Sequence, residues 1–208
     1  MSDDPWLIDN EASLRAVIGA PMESVRAKVV QRLNEAMRHF VAQSPLILLS
    51  TIDEHGRPDV SPKGDPAGFV KIDGAGDLLI PERPGNRLIF GFHNILRNPE
   101  VGLIFIVPHQ RETLRVKGVA TLRSDPDIVA QMQVNGKPAI LYTHVAVREC
   151  FFHCGKALIR SHVWEPAKWP PAQRSIASRQ FFGPAPLDEE ARTRIEGVMD
   201  EAYREHLY

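Results

Sequence analysis

Cysteine is almost missing from this chain. Only Cys150 and Cys154 occur among 208 residues, which excludes a fold held by a disulfide framework. Both fall in a stretch that reads as strand, where four residues span about 13 Å, so they are expected as buried free thiols rather than a bonded pair. No long apolar run exists either. The longest, VGLIFIV at 101–107, falls far short of the ~20 residues needed to cross a bilayer. Charge of one sign is not in excess: the net charge of −1 argues against a protein built around a nucleic-acid backbone. The acidic N-terminus, MSDDPWLIDNEAS, has no basic segment leading into an apolar one and is not expected to be a signal peptide, so the cytoplasm is the predicted location. Neither a Gly-x-Ser-x-Gly elbow nor a P-loop is present, which weighs against hydrolase and nucleotidase chemistry.

What is present is a globular composition, 43% apolar and 25% charged, enough for one good core. Residues 1–20 read as a loose arm anchored by Trp6, Leu7 and Ile8. From Pro21 to Gln43 the positions Val25, Val29, Leu33, Met37, Phe40 and Val41 recur at helical spacing, with Pro21 suited to the first turn and Ser44-Pro45 as the stop. Short strand candidates follow at 46–52, 68–72 and 77–81, with turns at DEHGRP and DGAGD. A helix is expected over 86–97, weakened by Gly91, with Leu88, Phe92, Ile95 and Leu96 on one face. The continuous apolar run at 101–108 predicts a buried strand, and 113–123 alternates as a strand with two different faces. DPDIVAQMQV predicts a short helix with an aspartate cap and a first-turn proline. Residues 139–154, β-branched and aromatic, predict another strand. The stretch 161–187 is the one candidate linker, and its Trp164, Trp169 and Phe181-Phe182 predict that it packs on something. A terminal helix over 188–206 carries the stripe Ile195, Val198, Met199, Ala202 and Tyr203. Strands this closely spaced leave no room for helical crossovers, which points to a mostly antiparallel sheet or barrel with flanking helices, an α+β chain that is mainly β.

The chemistry concentrates in a few places. His144, His153, Cys154 and His162 lie close in sequence but lack the paired spacing of a zinc site, so no metal is expected. RPDVSPKGDPAGFV, at 57–70, fills a strand exit with a hydroxyl, two prolines, Lys63, two glycines and Asp65. It reads either as a turn or as an anion site built on Ser61 and Lys63. Lys63, Arg87 and Arg115 each stand beside a strand end or helix start, and Asn86-Arg87, after Pro84-Gly85, is placed to open a helix where free N–H groups favour an anion.

Taken in order, LILLSTIDEHGRPDVSPKGDPAGFV, LLIPERPGNR, NILRNPEVGLIFIVP, TLRVKGVATL and FFHCGKALIRSHVWEP resemble the pyridoxamine 5′-phosphate oxidase-like flavoproteins, in particular a branch named for FMN dependence whose substrates are unassigned. The resemblance runs from about Pro45 to Pro166. It implies a split β-barrel of the FMN-binding type, dimerising with itself and holding one FMN in each of two clefts between subunits. Ser61 and Lys63 would then lie beside the flavin, Asn86 and Arg87 on its phosphate and Arg115 in the same cleft, with His153, Lys156 and Trp164 supplied by the partner chain. Either Lys63 or Lys156 would stand near flavin N1, and His153 is the first candidate for a general acid. The implied activity is hydride transfer to or from a small organic molecule. A non-catalytic dimer binding or sensing flavin, haem or a deazaflavin is the alternative, with His93, His144 and His153 as possible haem ligands. True pyridoxamine phosphate oxidases end in a basic strand with Arg-Leu-x-Pro, whereas this sequence ends in LDEEARTRIEGVMDEAYREHLY, so their substrate does not carry over. The expected domains are the arm at 1–20, the barrel with its N-terminal helix at 21–166 and a C-terminal extension at 167–208 packed on the barrel or the partner.

Overall fold

The computed structural model describes residues 4, 6–171 and 188–205. Seven strands form one antiparallel sheet: β1 Leu46–Ile52, β2 Pro58–Gly64, β3 Lys71–Ile72, β4 Leu78–Glu82, β5 Glu100–Ile106, β6 Thr113–Arg123 and β7 Leu141–His153, ordered β2-β1-β5-β6-β7-β4-β3. The helices are α1 Glu11–Ile18, α2 Glu23–Arg26, α3 Glu35–Gln43, α4 Phe90–Arg97, α5 Pro126–Gln131, α6 Lys156–Arg160 and α7 Glu189–Glu205. This is the antiparallel sheet that the strand pattern predicts, in the split-barrel form that the family resemblance implies. None of the described helices is long and apolar enough to span a membrane.

The strand register separates two faces. Ile47, Leu49, Leu103, Phe105, Leu114, Val116 and Cys150 point into the core, joined there by Leu78, Ile80 and Val145. α3 covers this core with Met37, Phe40 and Val41, and Phe40 meets Phe152 edge-on with centroids 5.4 Å apart. Because partners across an antiparallel ladder share a face, Ser61 and Lys63, opposite Leu49 and Ile47, point inward as well. β5 alternates between buried and half-buried positions rather than being buried throughout, since only one of its faces meets the core.

The sheet curls until its two ends meet, and side chains join them. Lys63 Nζ, on edge strand β2, lies 2.5 Å from Glu82 Oε2 on β4, and Arg83 Nε lies 2.8 Å from Asp65 Oδ2. Thr143, buried on β7, donates to the second Glu82 oxygen at 2.8 Å, and Arg83 Nη2 donates to the Met132 carbonyl at 2.6 Å. Two ion pairs therefore bridge the split, where no backbone ladder runs among the described residues.

Several expectations are corrected. The helix expected over 21–43 breaks in two, leaving Pro21 outside α2. β4 pairs only with Leu141–Val145 of β7, and Val30 takes part of the open edge beyond, exchanging N–H···O bonds of 3.0 and 2.7 Å with Cys150. Edge pairing of a β-branched residue wins over helical periodicity there, and Asn34 then caps α3 through the Met37 N–H at 3.0 Å. The arm contains α1, capped by Asn10 and stopped by Gly19 at φ 73°. Trp6, Leu7 and Ile8, expected to anchor the arm, are exposed among the described residues. The strand expected at 68–72 shrinks to β3, although Phe69 and Val70 are buried. α4 starts at Phe90, not Asn86, and of its expected face only Ile95 is buried while Leu88 and Leu96 are exposed. α6 was not foreseen. Cys150 is buried, but Cys154 is exposed; both are free. α7 has no buried residue, and Val198 and Tyr203 of its stripe are exposed. Residues 172–187, including Phe181-Phe182, lie outside the described residues.

Asp125 does not cap α5 with its side chain. It accepts from Arg123 Nε at 3.0 Å and from the Tyr142 hydroxyl at 2.8 Å, joining a strand end to the helix start. The Arg123 hydrogen bond, then that of Tyr142, holds its carboxyl down at about 2. A carboxylate depressed on folding stabilises above its ordinary value and loses that contribution as pH falls through the folded value. Asp125→Asn should therefore lower the melting temperature slightly near neutrality. Melting curves of the two proteins should converge as pH falls from 3.8 to about 2.

Candidate functional site

The motif around Ser61 and Lys63 is neither a turn nor a strand exit, because β2 runs straight through it to Gly64. Among the described residues β2 pairs with β1 alone, so Pro58 and Pro62 sit on an edge strand, where a missing N–H breaks no interior ladder. Ser61 lies beneath the start of α4. A Cβ on Gly91 would stand 3.9 Å from Thr51 and 4.0 Å from the Ser61 hydroxyl, ordinary contact distances that place this turn of the helix directly over both. Asn94 ties the same helix down by donating to Thr51 Oγ1 at 3.0 Å. The Lys63 ammonium sits 4.9 Å from the Phe92 ring centroid besides pairing with Glu82. Lys63 thus has partners on two sides before any ligand arrives.

Asn86 and Arg87 belong to the loop that feeds α4. Asn86 accepts the Leu88 N–H at 3.1 Å, which stabilises the loop itself. Arg87 at φ 62° and Ile89 at φ 50° are left-handed without being glycine, and for a β-branched residue that conformation is strained. Ile89 offers α4 no side-chain cap. An exposed arginine in a strained loop before an uncapped helix is an arrangement that suits an anion.

Arg115 stands elsewhere. Its pairing through Ile104 and Leu48 to Pro62 places it on the outer face of the sheet, opposite to Ser61 and Lys63. Its guanidinium lies 5.4 Å from the ring of Phe151, its cross-strand partner, and Lys28 approaches the same ring at 5.3 Å. His153, Lys156 and Trp164 gather around the exit from β7. His153, at the end of the strand, and Lys156, the first residue of α6, are exposed. Trp164 donates its indole N–H to the Gln110 carbonyl at 2.9 Å, and its ring lies 5.9 Å from that of His109. Beside it opens a cleft of about 340 Å³ lined by His109, Arg111, Leu158, Ile159 and His162. His162 itself pairs with Glu165 at 2.8 Å.

Within one chain the eight residues therefore form three groups: Ser61, Lys63, Asn86 and Arg87 around α4; Arg115 on the outer face; His153, Lys156 and Trp164 around α6. Among the described residues no hydrogen bond or ion pair joins one group to another. Sequence reasoning missed Glu82 and Arg83, and it named Asp65 in the motif without the partner it meets. An acidic residue in register on an otherwise apolar strand, as in LLIPE, was the available signal. Of the four residues weighed as metal ligands, His153, Cys154 and His162 are exposed, and His144 faces Asp73 and Asp77.

The structure is an antiparallel split barrel with cationic side chains set around α4 and α6. The chain belongs to the pyridoxamine 5′-phosphate oxidase family, whose model matches residues 33–154, more than half its length. Among solved structures it is similar to HupZ of Group A Streptococcus, at 15% identity and a TM-score of 0.47 over 58% of this chain and 93% of that one. It is similar to a conserved hypothetical protein of Mycobacterium tuberculosis, at 15% identity and 0.44 over 74% and 98%. HutZ, the haem storage protein of Vibrio cholerae, matches at 18% identity and 0.39 over 58% and 94%. No curated protein matches the chain.

Proposed function

We propose that this protein binds FMN in clefts between two copies of the chain and acts as a flavin-dependent oxidoreductase on a small organic molecule. The observation that carries the reading is the left-handed, arginine-bearing loop 86–89 in front of an uncapped helix, within a chain of this family. Arg87 and the first N–H groups of α4 would hold the phosphate. Arg115 and the α6 group, separate within one chain, would meet across the subunit interface. Exposed Val60, Leu88, Ile89, Phe90 and Leu96 provide the apolar surface for that contact. Flavin supplies hydride chemistry when bound, and the chain supplies position and charge. Lys63 already neutralises Glu82, which leaves exposed Lys156 as the cation for the flavin N1 edge. His153, exposed at the strand end, is placed to move a proton at the substrate.

The test is the visible spectrum of the purified protein after adding FMN and desalting, with light scattering for the dimer. Flavin bands should be retained, and Arg87→Ala should weaken FMN at least tenfold, as for the loss of a charge-assisted hydrogen bond of about 1.5–3 kcal/mol. Riboflavin, which lacks the phosphate, should bind both proteins equally. A monomer, or a colourless protein that does not retain FMN, overturns the reading. Retained flavin that no nicotinamide reduces and no oxygen reoxidises would leave binding without turnover.

A further inference from the structure

Outside the proposed cofactor cleft, the turn between β3 and β4 brings together three donor groups that nothing described so far employs. Asp73 Oδ1 accepts the N–H groups of Ala75 and Asp77, both at 2.9 Å, and Asp77 Oδ1 accepts the Val147 N–H at 3.0 Å. Each carboxylate is thus fixed through one oxygen while the other turns toward β7. There His144 Nε2 stands 3.4 Å from Asp73 Oδ2 and 3.8 Å from Asp77 Oδ2, and all three donors lie within 4.8 Å of one another.

We propose that Asp73, Asp77 and His144 form a binding site for a divalent cation of the zinc class. The spacing fits: ligands about 2.1 Å from a tetrahedral zinc stand roughly 3.4 Å apart. An imidazole beside two carboxylates suits zinc better than magnesium or calcium, which prefer oxygen donors alone. Two carboxylates this close need positive charge between them, and among the described residues His144 is the sole ion-pair partner of either. Arg38 lies against Gly76 on the same turn, yet among the described residues it forms an ion pair with neither carboxylate. The backbone beneath His144 is fixed before an ion arrives, because it is paired with Leu79 on one side and Thr121 on the other. The three side chains keep between 24% and 31% of their surface exposed, which leaves water access to the remaining coordination positions. The site lies on the face opposite Thr143 and Glu82, since adjacent residues of β7 point to opposite faces. A bound ion there would clamp the β3–β4 turn onto the longest strand.

The experiment is zinc titration of the full chain, stripped with a chelator, followed by calorimetry and melting. One zinc per chain should bind and raise the melting temperature. Asp73→Asn and Asp77→Asn keep an oxygen for the turn's N–H groups but remove the charge, so they should fold normally and bind zinc at least tenfold more weakly. His144→Gln should do the same, and His55→Ala, on the exposed β1–β2 hairpin, should bind like the parent. Absence of zinc binding in the parent, or equal binding in all three site variants, overturns the proposal. Equal binding would mark the ion as adventitious.

Discussion

Replacing Lys63 with methionine lowers the melting temperature by roughly 10 °C, and adding Glu82→Leu to the same chain recovers most of the loss. Glu82 is 4% exposed and Lys63 21%, and the pair spans the seam where β2 meets β4. Removing one member of a buried pair costs about 3–5 kcal/mol, because the remaining charge is left without a partner. For a domain of this size each kcal/mol moves the melting point by about 2–4 °C. Removing both charges while preserving volume is close to neutral in other buried pairs, hence the expected recovery. The double variant also separates two roles for Lys63. If the lysine only closes the barrel, the rescued double variant binds FMN like the parent. If it touches the flavin, FMN affinity falls although stability has returned. The partners at Glu82 and Phe92 favour closure. Melting and flavin titration of the same three proteins decide between them.

The parts of this fold that depend on local pattern were legible in the sequence. β1 and β6 run over the very residues, 46–52 and 113–123, that alternation and β-branched content mark. Parts that depend on position in the sheet were not. Ser-Pro-Lys-Gly has the local preferences of a turn and becomes strand because β2 is an edge, a property set by β1's other neighbour, β5. Likewise 21–43 has helical spacing throughout, yet an open stretch on β7, more than a hundred residues later, draws Val30 out of it.

The candidate site divides along the same line. Lys63, Arg87 and Arg115 are visible as cations near element ends, but what each one meets is not. Glu82 and Lys63 are 19 residues apart and Asp65 and Arg83 are 18 apart, and no periodicity links either pair; curling of the sheet does. Arg115 falls on the outer face through a parity carried across three ladders, which a single strand's pattern cannot supply. Asp73 and Asp77 read as turn residues, which they are, while their other oxygens acquire a partner only when β4 pairs with β7.

The second large effect is expected at Gly155, the glycine of His-Cys-Gly-Lys-Ala. Its φ of −80° is open to any residue, so conformational freedom is not the reason for a glycine there. Space is. A Cβ at this position would lie 1.9 Å from the Arg111 carbonyl oxygen and 2.4 Å from its carbon. The obstacle is backbone, which cannot swing aside as the end of a flexible side chain would. Gly155→Ala must therefore push α6 away from the loop between β5 and β6, at a cost of roughly 3 kcal/mol, the upper range for overpacking. Gly197, by contrast, is helical with nothing within 4 Å, and alanine there should stabilise by about 1 kcal/mol. The displacement at Gly155 also has a local reading. Trp164 is held to Gln110 of that same loop, so its fluorescence should move toward that of an exposed indole before the barrel melts. If the cleft beside Trp164 takes part in flavin binding, Gly155→Ala loses flavin at temperatures where the sheet is intact by far-UV dichroism. An unchanged melting point and unchanged Trp164 environment would show that the loop yields freely, and that the close approach of Gly155 to Arg111 does not fix the position of α6.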